Sequence, residues 1–181
     1  MADLYKVGRL VQQGERAGHL LPSGPKQLWV TELGWNSNPP NPGGVPLEEQ
    51  ARWYEQALYE LWRQGVDTVL LLQIVDSPPI PDYATAYETG LYFVDGQPKP
   101  AAAAFRFPFV ASPSGRGRVL AWGSAPVAGQ LVLERLAGKR WKPLAALHVG
   151  WHRVFTRQLV LVGHEVLRAR IGGQTSLAWR T

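Results

Sequence analysis

Two short apolar runs, residues 28–33 and 68–75, stand on either side of one strongly amphipathic segment, and this limits how the amino half of the chain can fold. Leu28, Trp29, Val30, Thr31, Glu32 and Leu33 form a short, partly β-branched run that stops at Gly34, the pattern of a buried strand. Thr68, Val69, Leu70, Leu71, Leu72, Gln73, Ile74 and Val75 are almost continuously apolar, as a parallel strand covered on both faces would be. Between them, residues 47–64 repeat Leu47, Ala51, Tyr54, Leu58, Leu61 and Gly65 at spacings of four and three, which gives a helix with one apolar stripe. Pro46 suits its first position, Glu48 and Glu49 suit the positive end of its dipole, and Gly65 suits its end. Strand, helix and strand together predict a βαβ crossover, because neighbouring parallel strands need such a connection. Residues 36–44, with Asn36, Asn38, Asn41, Pro39, Pro40 and Pro42, predict an irregular loop.

The flanking segments extend this frame. Residues 3–18 predict a helix with Leu4, Val7 and Val11 on one face, Leu10 beside them and Gly18 at its end. A Pro-rich loop follows Asp76, a small hairpin is expected around Asp95-Gly96, and residues 100–107 predict a last helix. From about Ser112 the period changes. Strand candidates at 118–122, 130–136, 144–149, 155–162, 166–171 and 176–179 alternate with Gly-containing turns, the spacing of a small antiparallel β-sandwich. Two domains are expected, residues 1–110 and 111–181.

Composition narrows the function classes. The 181 residues are 45% hydrophobic, enough to form a core in one or two domains. No apolar run reaches the ~20 residues of a membrane span. Cys is absent, which removes disulfides, thiolate metal ligands and Cys nucleophiles. Residues 1–105 carry seven Lys/Arg and twelve Asp/Glu, whereas residues 106–181 carry twelve Lys/Arg and two Asp/Glu. The basic half has no aromatic-basic RNA signature, so nucleic acid is not expected as a partner. No positive region, apolar stretch and cleavage site open the chain, so no signal peptide is predicted.

Glu32 is the carboxylate in the most unusual place, at the carboxyl end of an otherwise apolar strand. Ligands and catalytic groups gather at that end of βα folds. Trp35 follows three residues later and offers a face for a sugar ring. Asn36 and Asn38 offer hydrogen bonds to hydroxyls, and Asp76, ending the second strand, offers another. His148, His152 and His164 show no metal-ligand spacing, no Ser lies in a nucleophile elbow, and no phosphate loop is present. Neither a metal nor a cofactor is predicted.

The stretch Leu28-Trp29-Val30-Thr31-Glu32-Leu33-Gly34-Trp35 resembles strand seven of the clan A (β/α)8-barrel glycoside hydrolases. The phrase Gly90-Leu91-Tyr92 with Gln97-Pro98-Lys99-Pro100-Ala101 resembles the one that closes many of these barrels. The resemblance implies an α/β plus all-β chain: a partial (β/α)8 (TIM) barrel covering about helix six to helix eight, followed by a small antiparallel Ig-like β-sandwich. It implies retaining hydrolysis by two carboxylates, with Glu32 as nucleophile and Trp35, Asn36 and Asp76 binding an oligo- or polysaccharide. The acid/base of this clan lies in an Asn-Glu pair, and that dipeptide does not occur here. The second apolar run also lacks the Trp platform common in such barrels. A barrel needs about 250 residues, so the chain is expected to be the carboxyl-terminal part of a larger, secreted enzyme, inactive without the rest of the barrel. The competing expectation is a non-catalytic module whose basic β-sandwich binds a polysaccharide or cell-surface polymer.

Overall fold

The two apolar runs form a regular ladder only near their first residues, with one further bond from the Leu72 N–H to Leu33 O at 2.8 Å. The computed structural model describes residues 3–161 and 163–181. In it the chain divides into two units, one up to Pro98 and one from Lys99.

The first unit holds helix α1 (Leu4–Arg16), strands β1 (Trp29–Val30), β2 (Ser37–Asn38) and β3 (Val45–Pro46), helix α2 (Leu47–Arg63) and strand β4 (Thr68–Val69). β1 and β4 pair in parallel, Trp29 against Thr68 and Val30 against Val69, with α2 as the crossover. The predicted βαβ connection is therefore present, but each strand is two residues long. The Leu70 N–H still reaches Val30 O at 2.9 Å; beyond it the regular pairing ends, with Gln73 at φ 65°. Leu70, Ile74 and Val75 are exposed, so this run is not the doubly covered strand its composition suggested.

α2 ends as its sequence predicts. Gly65 sits at φ +77°, its N–H reaches Trp62 O at 3.1 Å and the Val66 N–H reaches Leu61 O at 3.1 Å. This paired closure uses the left-handed conformation that Gly adopts cheaply. Pro46 stands one position earlier than expected, as the N-cap, because it also closes the ladder of β3. The 36–44 segment is not wholly irregular: Ser37 and Asn38 pair in parallel with Val45 and Pro46. α1 forms as predicted but has no buried residue. The turn at Asp95-Gly96 closes through Gly96 N to Phe93 O at 2.9 Å, with a single bridge between Tyr92 and Pro98 in place of a full hairpin.

The second unit begins with the short helix α3 (Pro100–Arg106) and continues through β5 (Phe109–Pro113), β6 (Arg118–Ser124), β7 (Gly129–Ala137), β8 (Arg140–Val149), β9 (Val154–Val160), β10 (Val166–Ile171), β11 (Gln174–Thr175) and β12 (Trp179–Arg180). All its strand pairs are antiparallel. One sheet runs β5-β6-β9; the other runs β11-β10-β7-β8, with β12 also on β10. Alternate residues of both sheets, Phe109, Ala111, Val119, Ala121, Leu131, Leu133, Phe155, Leu159, Leu167, Ala169 and Ile171, form one apolar core. This is the period-two pattern of strands buried on one face. The sequence did not signal β5, which it left to the linker. Val162, the last residue of the predicted 155–162 strand, lies outside the described residues.

The expected partial (β/α)8 barrel followed by an Ig-like sandwich is thus corrected. The described residues form three helices and mostly small antiparallel sheets, with two two-residue parallel ladders in the first unit. Apolar composition measures how much surface a segment would gain by burial. It does not secure the neighbouring strands that a barrel strand must pair with. No helix among the described residues is long and apolar enough to cross a membrane.

Candidate functional site

Four side chains carried the sequence-based site, and the structure gives them different surroundings. Glu32 follows Thr31 directly after β1 and is exposed. Among the described residues no ion pair engages it. It stands at the carboxyl end of a parallel strand, where strand ends present side chains rather than pack them.

Trp35 is half-buried. Its ring meets Trp53 edge-on at 5.6 Å and Tyr54 at 5.3 Å, a geometry that favours aromatic pairs. Its carbonyl accepts a hydrogen bond from Gln50 Nε2 at 2.7 Å. Trp35 is therefore anchored on α2, which fixes the position of its ring. Asn36 is anchored on both sides: its Oδ1 accepts the Glu88 N–H at 3.0 Å, and its backbone O accepts the Val45 N–H at 2.9 Å. Its carbonyl end is spent on the fold.

Asp76 is 4% exposed. Its Oδ1 accepts the Gly90 N–H at 2.9 Å, and its own N–H donates to Tyr92 O at 3.0 Å. It ties residues 75–76 to residues 90–92. A Cβ at Gly90 would lie 2.6 Å from Asp76 N, so the close approach of these two backbones requires Gly at that position. A substrate contact from Asp76 was the sequence expectation; its visible work is structural.

A set of residues that the sequence did not single out holds this region together. Glu88 is fully buried. Its Oε2 accepts from Asn41 Nδ2 at 2.8 Å, and its backbone O accepts the Ser37 N–H at 3.1 Å. Tyr54, also fully buried, donates its hydroxyl to Thr89 O at 2.6 Å. Burial pushes the Tyr54 phenol up to about 12; the Trp35 backbone acts against that shift and the Asp76 charge adds to it. Thr89 in turn donates its hydroxyl to Leu72 O. Gly44 passes so close to Ser37 that a Cβ would lie 2.5 Å from the Ser37 carbonyl carbon. Loop 35–45, helix α2 and residues 72–90 are thus locked by buried hydrogen bonds, which are costly to break where water cannot replace them. Glu88 lies in the run Tyr87-Glu88-Thr89-Gly90, which has no periodicity, so no sequence signal marked it.

The second unit holds a separate polar cluster. Glu134, 5% exposed, accepts Arg168 Nε at 2.8 Å and Arg170 Nε at 3.0 Å. The Arg168 guanidinium lies 4.1 Å from the centroid of the Trp141 ring, a cation–π distance. Burial alone would raise the Glu134 carboxyl; the two arginine hydrogen bonds and charges outweigh it and hold the group below the usual carboxylate range. Two Arg at alternate positions of one strand and a single acid in another were a readable signal in the sequence. His148 and His152 are exposed, and His164 Nδ1 meets Thr181 O at 2.7 Å. Among the described residues no group of three or more His, Asp or Glu is placed to hold a metal ion.

No protein-family model matches the chain, and no curated protein matches it.

Proposed function

We propose that this chain carries the nucleophile of a retaining O-glycoside hydrolase, Glu32, and acts on an oligo- or polysaccharide. The observation that carries the reading is the placement of Glu32: an exposed carboxylate, engaged in no ion pair among the described residues, just past the carboxyl end of β1 in a parallel β1–α2–β4 crossover. An ionised carboxylate with open solvent on one side can attack an anomeric carbon. It forms the glycosyl–enzyme ester as the leaving oxygen takes a proton from a second carboxyl group, which must stand about 5–5.5 Å away. Asp76, Glu55 and Glu88 are buried in contacts of their own and do not serve as that acid. The acid/base of the resembled enzymes lies in an Asn-Glu pair, which does not occur here, so the reading places that group on polypeptide outside this chain, and the chain alone gives no turnover. Trp35, three residues after Glu32, is held on α2 with its ring half-buried.

The test is Glu32→Gln in the polypeptide as its source expresses it, assayed with aryl glycosides. The amide is isosteric but not nucleophilic. Turnover should drop by on the order of a thousandfold or more with unchanged thermal stability. An unchanged rate in that variant removes Glu32 from the reaction.

A further inference from the structure

The second unit contains two acids, Glu134 and Glu165, and both are consumed by arginines: Glu134 by Arg168 and Arg170, Glu165 by Arg135 at 3.2 Å. Apart from the buried Lys99, the other cations of the unit have no carboxylate side chain of the unit left to pair with. Strand register shows where some of them gather. Leu167, Ala169 and Ile171 of β10 face the core, so Arg168 and Arg170 lie on the opposite face of the five-stranded sheet. Arg180, paired with Val166, shares that face. So do Val132, opposite Arg170, and Gln130, opposite the exposed His148. Lys139, Arg140 and Lys142 are exposed at the β7–β8 turn end of the same sheet.

The two central arginines are arranged as a prepared fork. Each gives its Nε to the buried Glu134, and Arg168 is further fixed over Trp141 at 4.1 Å. Among the described residues no acceptor holds their Nη groups, while the Arg170 side chain is 46% and that of Arg168 23% exposed. Planar guanidiniums held in place with free Nη pairs match an oxyanion in two-point fashion and lose little freedom on binding it. Gln130 and His148, on the same face, offer hydrogen bonds of the kind sugar hydroxyls accept.

We propose that this face of the five-stranded sheet, centred on Arg168 and Arg170, binds an acidic polysaccharide through its carboxylates. The proposal does not depend on Glu32 or on any hydrolytic activity. A nucleic acid fits less well, because single strands need free aromatic faces for stacking and the Trp141 ring is occupied by Arg168. An anionic membrane fits less well too, because the exposed large apolar residues of this unit, Phe105, Trp151, Val154 and Val160, lie on other elements.

The experiment titrates the whole chain with polygalacturonate at low ionic strength, beside neutral dextran, duplex DNA and phosphatidylglycerol vesicles. Polygalacturonate should bind, with affinity falling as salt is added, and dextran should not. Arg170→Ala should weaken binding about tenfold, the loss of one charge-assisted contact. Arg170→Lys keeps the charge and the Glu134 pair but not the fork, and should weaken it also. Arg157→Ala, on β9 of the other sheet, should leave binding within about twofold, as screened, distant charge effects do. Absence of polygalacturonate binding overturns the proposal. So does equal weakening by Arg157→Ala, or tighter binding of DNA or vesicles with the same dependence on Arg170.

Discussion

At the scale of single residues, two buried ionisable groups tie stability to pH in opposite directions. The Tyr54 phenol is raised in the folded chain to about 12, above its ordinary value near ~10. Its contribution is fully present below about pH 10 and is lost as pH rises through the folded value. The phenolate absorbance gained between about pH 10 and 12 should therefore be smaller in the folded chain than in denaturant, and Tyr54→Phe should reduce that deficit. Tyr54→Phe also strips the donor from Thr89 O and should cost about 1 kcal/mol or slightly more, read from denaturant melts. Glu134 runs the other way. Its folded value lies below the usual carboxylate range, so its stabilisation is present above about pH 4 and disappears as pH falls through the lowered value. Glu134→Gln leaves Arg168 and Arg170 side by side without an anion and should cost about 2 kcal/mol at neutral pH. The cost should shrink in acid, where the wild-type carboxyl is itself neutral; an undiminished difference there would contradict the ion-pair account.

At the scale of elements, the ends of α2 and the close backbone approaches carry more information than the strands. Gly65→Ala places a Cβ at φ +77° and should destabilise by about 1 kcal/mol. Gly90→Ala is a different fault, a clash with the Asp76 backbone, and should cost about 2 kcal/mol or more. Ranking the two variants by urea midpoint separates local conformational strain from overpacking. The parallel pair β1–β4 is short: only Trp29–Thr68 and Val30–Val69 stay in register, and the Leu72 N–H bonds to Leu33 O outside it. Trp29, Leu70 and Ile74 remain exposed beside it, although parallel strands are ordinarily covered.

At the scale of the molecule, stability is distributed unevenly. The second unit joins residues of both its sheets in one apolar core, while α1 buries no residue. Amide exchange should accordingly be slowest in β6, β7 and β10 and fastest in α1, approaching unprotected rates there. Strong protection across α1 would mean that its apolar stripe is covered in solution. The charge division has a matching origin: the second unit's acids are few and already paired, so its arginines and lysines in excess, the buried Lys99 apart, stand toward solvent and make its interactions salt-dependent.

Much of the local structure was legible from residue order. The stripe in 47–64 with Gly65 behind it predicts α2 nearly to the residue, because a helix draws its hydrogen bonds from its own neighbours and its cap is a local backbone property. The regular spacing of Gly-containing turns after Ser112 predicts β6, β7, β8 and β10 for a related reason: a tight turn is also a local backbone property. The place of Glu32 at the end of the first apolar run was also readable, though not its exposure. How far strands β1 and β4 extend was not, since strand length depends on partners that sequence spacing does not name. Nor was the engagement of Trp35, Asn36 and Asp76 by Gln50, Glu88 and Gly90, which lie 14 to 52 positions away. The sequence by itself determined where the helices stop, which strand faces are apolar and which unit is basic, since each follows from neighbours along the chain. Only the tertiary structure decided which polar groups are buried together and which carboxylate is left open to solvent, because burial is a property of distant segments brought into contact.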